Sequence, residues 1–317
     1  MTPIPWNDFI AQIEELYQLP MRAPATRKSL VAVLRNLEPM GVQTTADLTP
    51  SLIARYIRAK SAEVCPRTVH AHLLRIQTAC HLAAELKGLE VNPFQLRRMR
   101  QWIRPGRPAV KTHHTRSEIR AVLDLMARNV KERRGWEQWK ARRLLAMATL
   151  AAFAGIRRNE LLFAWVEDLD LPNRMFWVHP RRRLKTEAAA QPVPLPMAAI
   201  PVLDDWLAHR LDRPAGFKLP ESIPWLFPNI SAKNAWHTGR PGAKPVDRLQ
   251  AVAKQAGVQG MTWQSMRRSL ATALEGYGLS QCLITRTLRH TSEKITREWY
   301  QGLDLKTLSQ AVEEFDF

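Results

Sequence analysis

The chain has 317 residues, enough for two domains with cores of their own, and 45% of them are hydrophobic, which excludes a disordered protein. Lys and Arg number 47 against 29 Asp and Glu, a net charge of +18 that calls for a polyanionic partner. No stretch approaches the roughly 18 apolar residues of a membrane span. Cys65, Cys80 and Cys282 lack paired spacing and read as reduced, buried small residues of a cytosolic protein.

The first residues carry no basic and apolar leader of the secretory kind, and helices begin at Trp6. Phe9, Ile10, Ile13 and Leu16 form one apolar stripe, and Leu30, Val33, Leu34 and Leu37 form a second. Thr49-Pro50 caps a helix running to Lys60. Pro66 opens a longer one, with Val69, Leu73, Ile76, Ala79, Cys80 and Ala83 on one face and Gly88 as its stop. These helices make a bundle over residues 1–96, and Arg55, Arg58, Arg67 and Arg75 on it are candidate phosphate contacts.

Residues 97–114 lose the apolar period and read as a basic linker, with Arg97, Arg98, Arg100, Arg104, Arg107 and Lys111 placed to follow a polyanion. Thr115 and Glu118 form a capping box that starts a second domain at 115–302. Trp139 to Ala154 is apolar all round, a core helix stopped by Gly155. Leu169–Leu171, Met175–His179 and Pro192–Leu195 read as a small antiparallel sheet, with a second basic run, Arg181, Arg182, Arg183 and Lys185, between the later two strands. Residues 212–245, rich in Pro, Gly and Asn, read as a long surface loop near the partner.

Met266, Leu270 and Leu274 then mark a helix from Gln264 to Glu275, broken by Gly276 and Gly278, with Tyr277 packed in the turn. Ser280 caps a helix to Leu288, and Ser292 starts another that contains Tyr300. Leu305, Leu308, Val312 and Phe315 give a helical tail at 303–317.

Four segments in order carry a resemblance. Ala154 to Leu162, Lys185-Thr186 with Gln191 to Leu195, Gln264 to Thr272 and Leu288-Arg-His290 followed by Tyr300 resemble the first-arginine box, lysine hairpin, second-arginine box and histidine box of tyrosine recombinases, the phage-integrase family. The chain departs from that pattern where Gln264 stands for His or Lys and Arg289 for Gly. The interval from His290 to Tyr300 (300 − 290 = 10) is also one residue longer than the commonest form, which places Trp299 where the tyrosine often falls.

The resemblance implies a mainly α fold with a small antiparallel β-sheet. In it an N-terminal helical core-binding (SAM-like) domain and an α+β tyrosine-recombinase catalytic domain form a C-shaped DNA clamp. It implies site-specific DNA integration or recombination through a 3′-phosphotyrosyl intermediate. Tyr300 would be the nucleophile, Arg157 and Arg267 the clamp on the nonbridging oxygens, Lys185 the acid for the leaving 5′ oxygen, and His290 a proton-transfer partner. Gln264 can hydrogen-bond the phosphate but cannot titrate, so a changed pH response is expected. Arg268 and Arg289 are further expected DNA contacts.

The implied partners are double-stranded DNA and three further copies of the chain in a tetramer on two sites, with room for an accessory DNA-bending protein. No membrane, cofactor, ATP or metal is expected, and the implied location is cytoplasmic, on the nucleoid. The tail is either a terminal core helix or, as commonly in the family, docked on a neighbouring protomer. Asp168 and Asp170 form too sparse a carboxylate set for a metal and read as punctuation of the sheet. No extra arm-binding domain is expected ahead of Trp6. Two other functions fit less of the pattern: a noncatalytic helix-turn-helix-like regulator around Gly276 to Ser280, and a type IB topoisomerase-like nicking and closing enzyme.

Overall fold

A computed structural model of the chain describes residues 2–18, 24–95, 113–179, 191–212, 223–228 and 245–289. It divides into two compact units, Met1–Val110 and Lys111–Phe317. The fold is mainly helical with one small antiparallel sheet.

The first unit packs α1 (Trp6–Leu16), α2 (Pro24–Arg35), α3 (Pro50–Glu63) and α4 (Pro66–Glu85). Phe9, Ile13, Leu34, Ile53, Tyr56 and Ile76 are fully buried between them, each contributing roughly 1.5–3 kcal/mol of apolar burial. The Thr49 hydroxyl accepts from Leu52 N at 3.2 Å, so the expected cap forms. Gly88 is not the helix stop that the sequence suggests. Lys87 takes the left-handed turn (φ 57°), and Gly88 lies where a Cβ would stand 2.6 Å from Ile4 Cδ1, so a larger residue would displace Ile4. The Thr45 hydroxyl donates to the Gly88 carbonyl and closes this corner.

The second unit begins where Thr115 N–H donates to Glu118 Oε2 at 2.7 Å, the capping box of α5 (Arg116–Glu132). His114 precedes it and is 5% exposed, so the end of the expected linker is already part of this unit. At its centre lies α6 (Gly135–Phe153), buried from Leu144 to Phe153 on every side and packed by α5, α8 (Ile200–His209) and α10 (Trp263–Gly276). Between α6 and α8 come the single-turn α7 (Arg158–Leu162) and the sheet β1 (Leu169–Asp170), β2 (Met175–Trp177) and β3 (Pro192–Pro194). The strands pair in order, with Phe176 opposite Leu169 on one side and Val193 on the other.

Part of this core comes from the expected surface loop. Ile223, Leu226 and Phe227 are buried, although 212–245 reads as exposed from its composition. Arg210 Nη1 donates to the carbonyls of Ile223 (3.1 Å) and Trp225 (2.9 Å), and Trp206 Nε1 donates to that of Leu226 (3.0 Å). The Trp206 ring lies 5.9 Å from Phe227 and 5.3 Å from Trp139, burying large aromatic area with its indole N–H satisfied. The helices α8 and α9 (Pro245–Gln255) complete the described part of the unit with α11 (Gln281–Thr287), whose cap Ser280 accepts from Leu283 N at 3.3 Å.

Of the cysteines, Cys80 alone is fully buried, its thiol pushed up to about 12 by burial, whereas Cys65 is exposed and Cys282 half-buried. Tyr277 is 42% exposed rather than packed, with Arg116 donating to its hydroxyl and lying 5.7 Å over its ring. Among the described residues no helix is long and apolar enough to cross a membrane.

Candidate active site

The corner between α6 and α7 is where the site is built. Helix α6 can turn out of the core there because Gly155 adopts φ 58°, a conformation costly for side chains. The space is as restrictive as the torsion, since a Cβ on Gly155 would lie 2.6 Å from Leu288 Cδ2 and 3.1 Å from Leu270 Cδ2. Two residues on, Arg157 caps α7, and Glu160 folds back onto it. Arg157 N donates to Glu160 Oε2 at 2.8 Å, and Arg157 Nη1 to Glu160 Oε1 at 2.7 Å.

The second arginine arrives from α10. Thr262 and Ser265 cap that helix reciprocally, Thr262 N to Ser265 Oγ at 2.8 Å and Ser265 N to Thr262 Oγ1 at 3.0 Å. Arg267, one turn in, is 2% exposed and donates through Nη1 to the carbonyl of Gly155. The first-arginine and second-arginine boxes of the sequence thus meet at one corner. Gln264 is exposed on the first turn of the same helix, beside the buried Trp263, Ser265 and Met266, and Arg268 is half-buried.

His114 fastens the entry of the unit to this helix. Its main-chain N–H donates to Ser269 Oγ at 2.7 Å, and its Nε2 lies 3.1 Å from Ser265 Oγ. The Ser265 hydroxyl already donates to Thr262 O at 2.9 Å, so the imidazole Nε2 is the donor.

A third guanidinium completes the corner. Arg289 follows α11 with φ 50°, the left-handed region that suits the glycine expected at this place, yet its side chain is 1% exposed. Its Nη2 lies 2.7 Å from Glu160 Oε2, and its carbonyl accepts from Arg157 Nη2 at 2.9 Å. The expectation of an outward DNA contact for Arg289 does not fit this burial: the backbone turn directs it into the protein.

Electrostatically the corner is short of negative charge, with three guanidinium groups around one carboxylate among the described residues (3 − 1 = +2). Burial is the largest influence on Glu160 and works to raise it, but Arg289, the Arg157 amide and the Arg157 guanidinium hold its carboxyl below the ordinary value. Burial, with Arg289 and Arg157 adding repulsion, pushes Arg267 down to about 8. Arg289 is likewise lowered by burial, partly offset by Glu160. Arg267 Nη2 and Arg289 Nε and Nη1 are buried with no hydrogen-bond partner among the described residues. An oxyanion is the chemical species that such donors and charges suit.

Asp168 Oδ2 accepts from Trp165 N at 2.8 Å and Asp170 Oδ1 from Asn173 N at 3.1 Å, so both carboxylates serve local turns. No group of three or more His, Cys, Asp or Glu suited to a metal occurs among the described residues. In the first unit Arg55, Arg58 and Arg67 are exposed and Arg75 is half-buried, its Nε donating to Ser29 Oγ at 3.3 Å. Lys185, His290 and Tyr300 lie outside the described residues, as do Arg97, Arg98, Arg100, Arg104, Arg107, Lys111, Arg181, Arg182, Arg183 and the tail 303–317. The sequence pattern alone assigns no role to Glu160 or His114; the i, i+3 spacing of Arg157 and Glu160, a capping interval, is the signal for the first.

A mainly helical unit with a three-stranded sheet thus brings two arginines, far apart in sequence, to one helix corner. Residues 113–306 match the model of the phage integrase family, and the chain belongs to that family. Its fold is similar to that of the Tn1549 transposon integrase in complex with a circular intermediate DNA, with a TM-score of 0.65 and 16% identity over 98% of this chain and 99% of that one. It is also similar to a lambda integrase dimer bound to a COC′ core site, with a TM-score of 0.63 and 14% identity over 96% of this chain and 81% of that one. No curated protein sequence matches the chain.

Proposed function

We propose that the chain is a site-specific DNA recombinase that cuts and rejoins strands through a 3′-phosphotyrosyl intermediate on Tyr300. The observation that carries this reading is the meeting of Arg157 and Arg267, from boxes 110 residues apart (267 − 157 = 110), at a buried and positively charged corner. Planar guanidinium forks there are fixed before any charge develops, so they stabilise a pentavalent phosphorane without reorganising. Tyr300 attacks the phosphorus, and the 5′ oxygen leaves with a proton from Lys185. The phosphotyrosyl ester keeps the bond energy for attack by another 5′ hydroxyl. His290 donates to the phosphate or moves the phenol proton.

Double-stranded DNA is the proposed partner, supported by the net charge of +18 and by relatives of the same fold solved on DNA. Arg55, Arg58, Arg67, Arg75 and Arg268 and the basic runs at 97–111 and 181–183 are the proposed backbone contacts. Four protomers on two sites, with an accessory bending protein where the site requires one, and a location on the nucleoid follow from the same reading.

Covalent capture tests it. The protein and its Tyr300→Phe variant are incubated with supercoiled DNA spanning the ends of the native element and with nicked duplexes that trap the intermediate, then denatured in detergent. Adducts at one site, absent in the variant, are expected. Tight, salt-sensitive binding with no adduct on either substrate would replace the enzyme by a DNA-binding regulator.

A further inference from the structure

We propose that Arg289 is the positioning residue for Arg157, holding that guanidinium at the angle from which it meets an oxyanion. The inference rests on the reading of Arg157 as an oxyanion ligand.

Arg289 grips the first-arginine box at two points. Its guanidinium holds Glu160 Oε2 at 2.7 Å, while Glu160 Oε1 holds Arg157 Nη1 at the same distance. Its carbonyl takes the other terminal nitrogen, Arg157 Nη2, at 2.9 Å. Both ends of the Arg157 fork are therefore fixed by one residue, once directly and once through Glu160. Arg157 is the most accessible of the three: its side chain is 25% exposed, against 6% for Glu160 and 1% for Arg289. The N–H groups not engaged by Glu160 or by the Arg289 carbonyl are left for the anion.

The arrangement is demanding to build. The carbonyl reaches Arg157 because residue 289 is left-handed at φ 50°, a torsion glycine meets readily and arginine does not. A glycine would supply the carbonyl alone and leave Glu160 Oε2 with the Arg157 amide as its remaining donor among the described residues. Arginine accepts the torsion and adds a buried positive charge whose Nε and Nη1 have no partner among the described residues. A side chain placed under those two penalties is explained by what its Nη2 does to Glu160, and through Glu160 to Arg157.

Inorganic sulfate is the probe, titrated against the full chain at constant ionic strength with sodium chloride as control, and read as a dissociation constant and as a melting temperature without sulfate. Wild type is expected to bind sulfate specifically, and Arg289→Gly to bind it about tenfold more weakly. Arg289→Lys, which keeps the charge and loses the fork, is expected between the two. The deciding measurement is a double-variant cycle. Arg157→Ala with Arg289→Gly is expected to bind no more weakly than Arg157→Ala alone, because Arg289 acts through Arg157. Additive losses would overturn the proposal, as would wild-type affinity in Arg289→Gly or no sulfate-specific binding by wild type. If Arg289→Gly does not fold, Arg289→Lys takes its place in the same cycle, where a non-additive loss supports the proposal and an additive loss overturns it. The titration needs neither Tyr300 nor DNA, so failure of covalent capture would remove the proposed activity without deciding this result.

Discussion

Arg289 Nη2 and Glu160 Oε2 lie 2.7 Å apart across 129 residues of sequence, joining the end of α11 to the start of α7. Glu160→Gln preserves the shape of that junction and removes its negative charge, leaving Arg157, Arg267 and Arg289 to repel one another in a buried corner. A loss of about 3–5 kcal/mol is expected, read as a lower urea midpoint. The pH dependence has a definite sign. The Glu160 carboxyl is held below its ordinary value of 4.5, so its stabilisation is complete above that pH and is lost as pH falls through the folded-state value. Wild type should therefore lose stability more steeply than Glu160→Gln on acidification below about pH 4.5.

Gly155→Ala meets both obstacles at the α6 to α7 corner, a φ of 58° and a Cβ 2.6 Å from Leu288 Cδ2. A destabilisation of about 3 kcal/mol is expected from strain and overpacking together, measured by thermal or urea unfolding. Oxyanion affinity should fall with it, since the carbonyl of Gly155 holds Arg267.

Arg267→Lys keeps a charge but not a fork. Single-turnover cleavage is expected to slow by about 10²- to 10³-fold while DNA affinity stays nearly constant, because the lost interaction is one made with developing charge. A parallel fall in affinity would instead place Arg267 in ground-state binding.

Gln264 is exposed on the first turn of α10, and its amide does not titrate. Gln264→His is expected to add one. Cleavage by the variant should gain rate below about pH 6.5, where the imidazole is charged, and lose that gain above it, a step absent from the wild-type profile.

Much of the site's framework is written locally. The caps at Thr49, Thr115 and Ser280 are legible because each needs only a hydroxyl and an amide three residues on. Gly155 is legible because it interrupts an unbroken apolar helix. What stays hidden in the sequence depends on distant partners. Ile223, Leu226 and Phe227 sit among turn-forming residues, and distant partners, Arg210, Trp206, Ala164 and Arg143 among them, make their backbone a core element. The helices α8 and α9 carry ordinary apolar spacing, Leu203 with Trp206 and Leu249 with Val252 and Ala253, beside a stretch whose composition reads as loop. Arg289 reads as one more surface cation in a basic chain until its torsion and its partner 129 residues away are known.

His114 has a mechanical consequence. The chain enters the second unit by donating its main-chain N–H to Ser269 and its imidazole N–H to Ser265, both on the helix that carries Arg267, before α5 begins. Tension applied along the polypeptide ahead of residue 113 is thus borne first by α10. The helix of the buried arginine is therefore also the mooring of the incoming chain, so a pull on that segment reaches the corner of Gly155 and Arg267 through two serine hydroxyls.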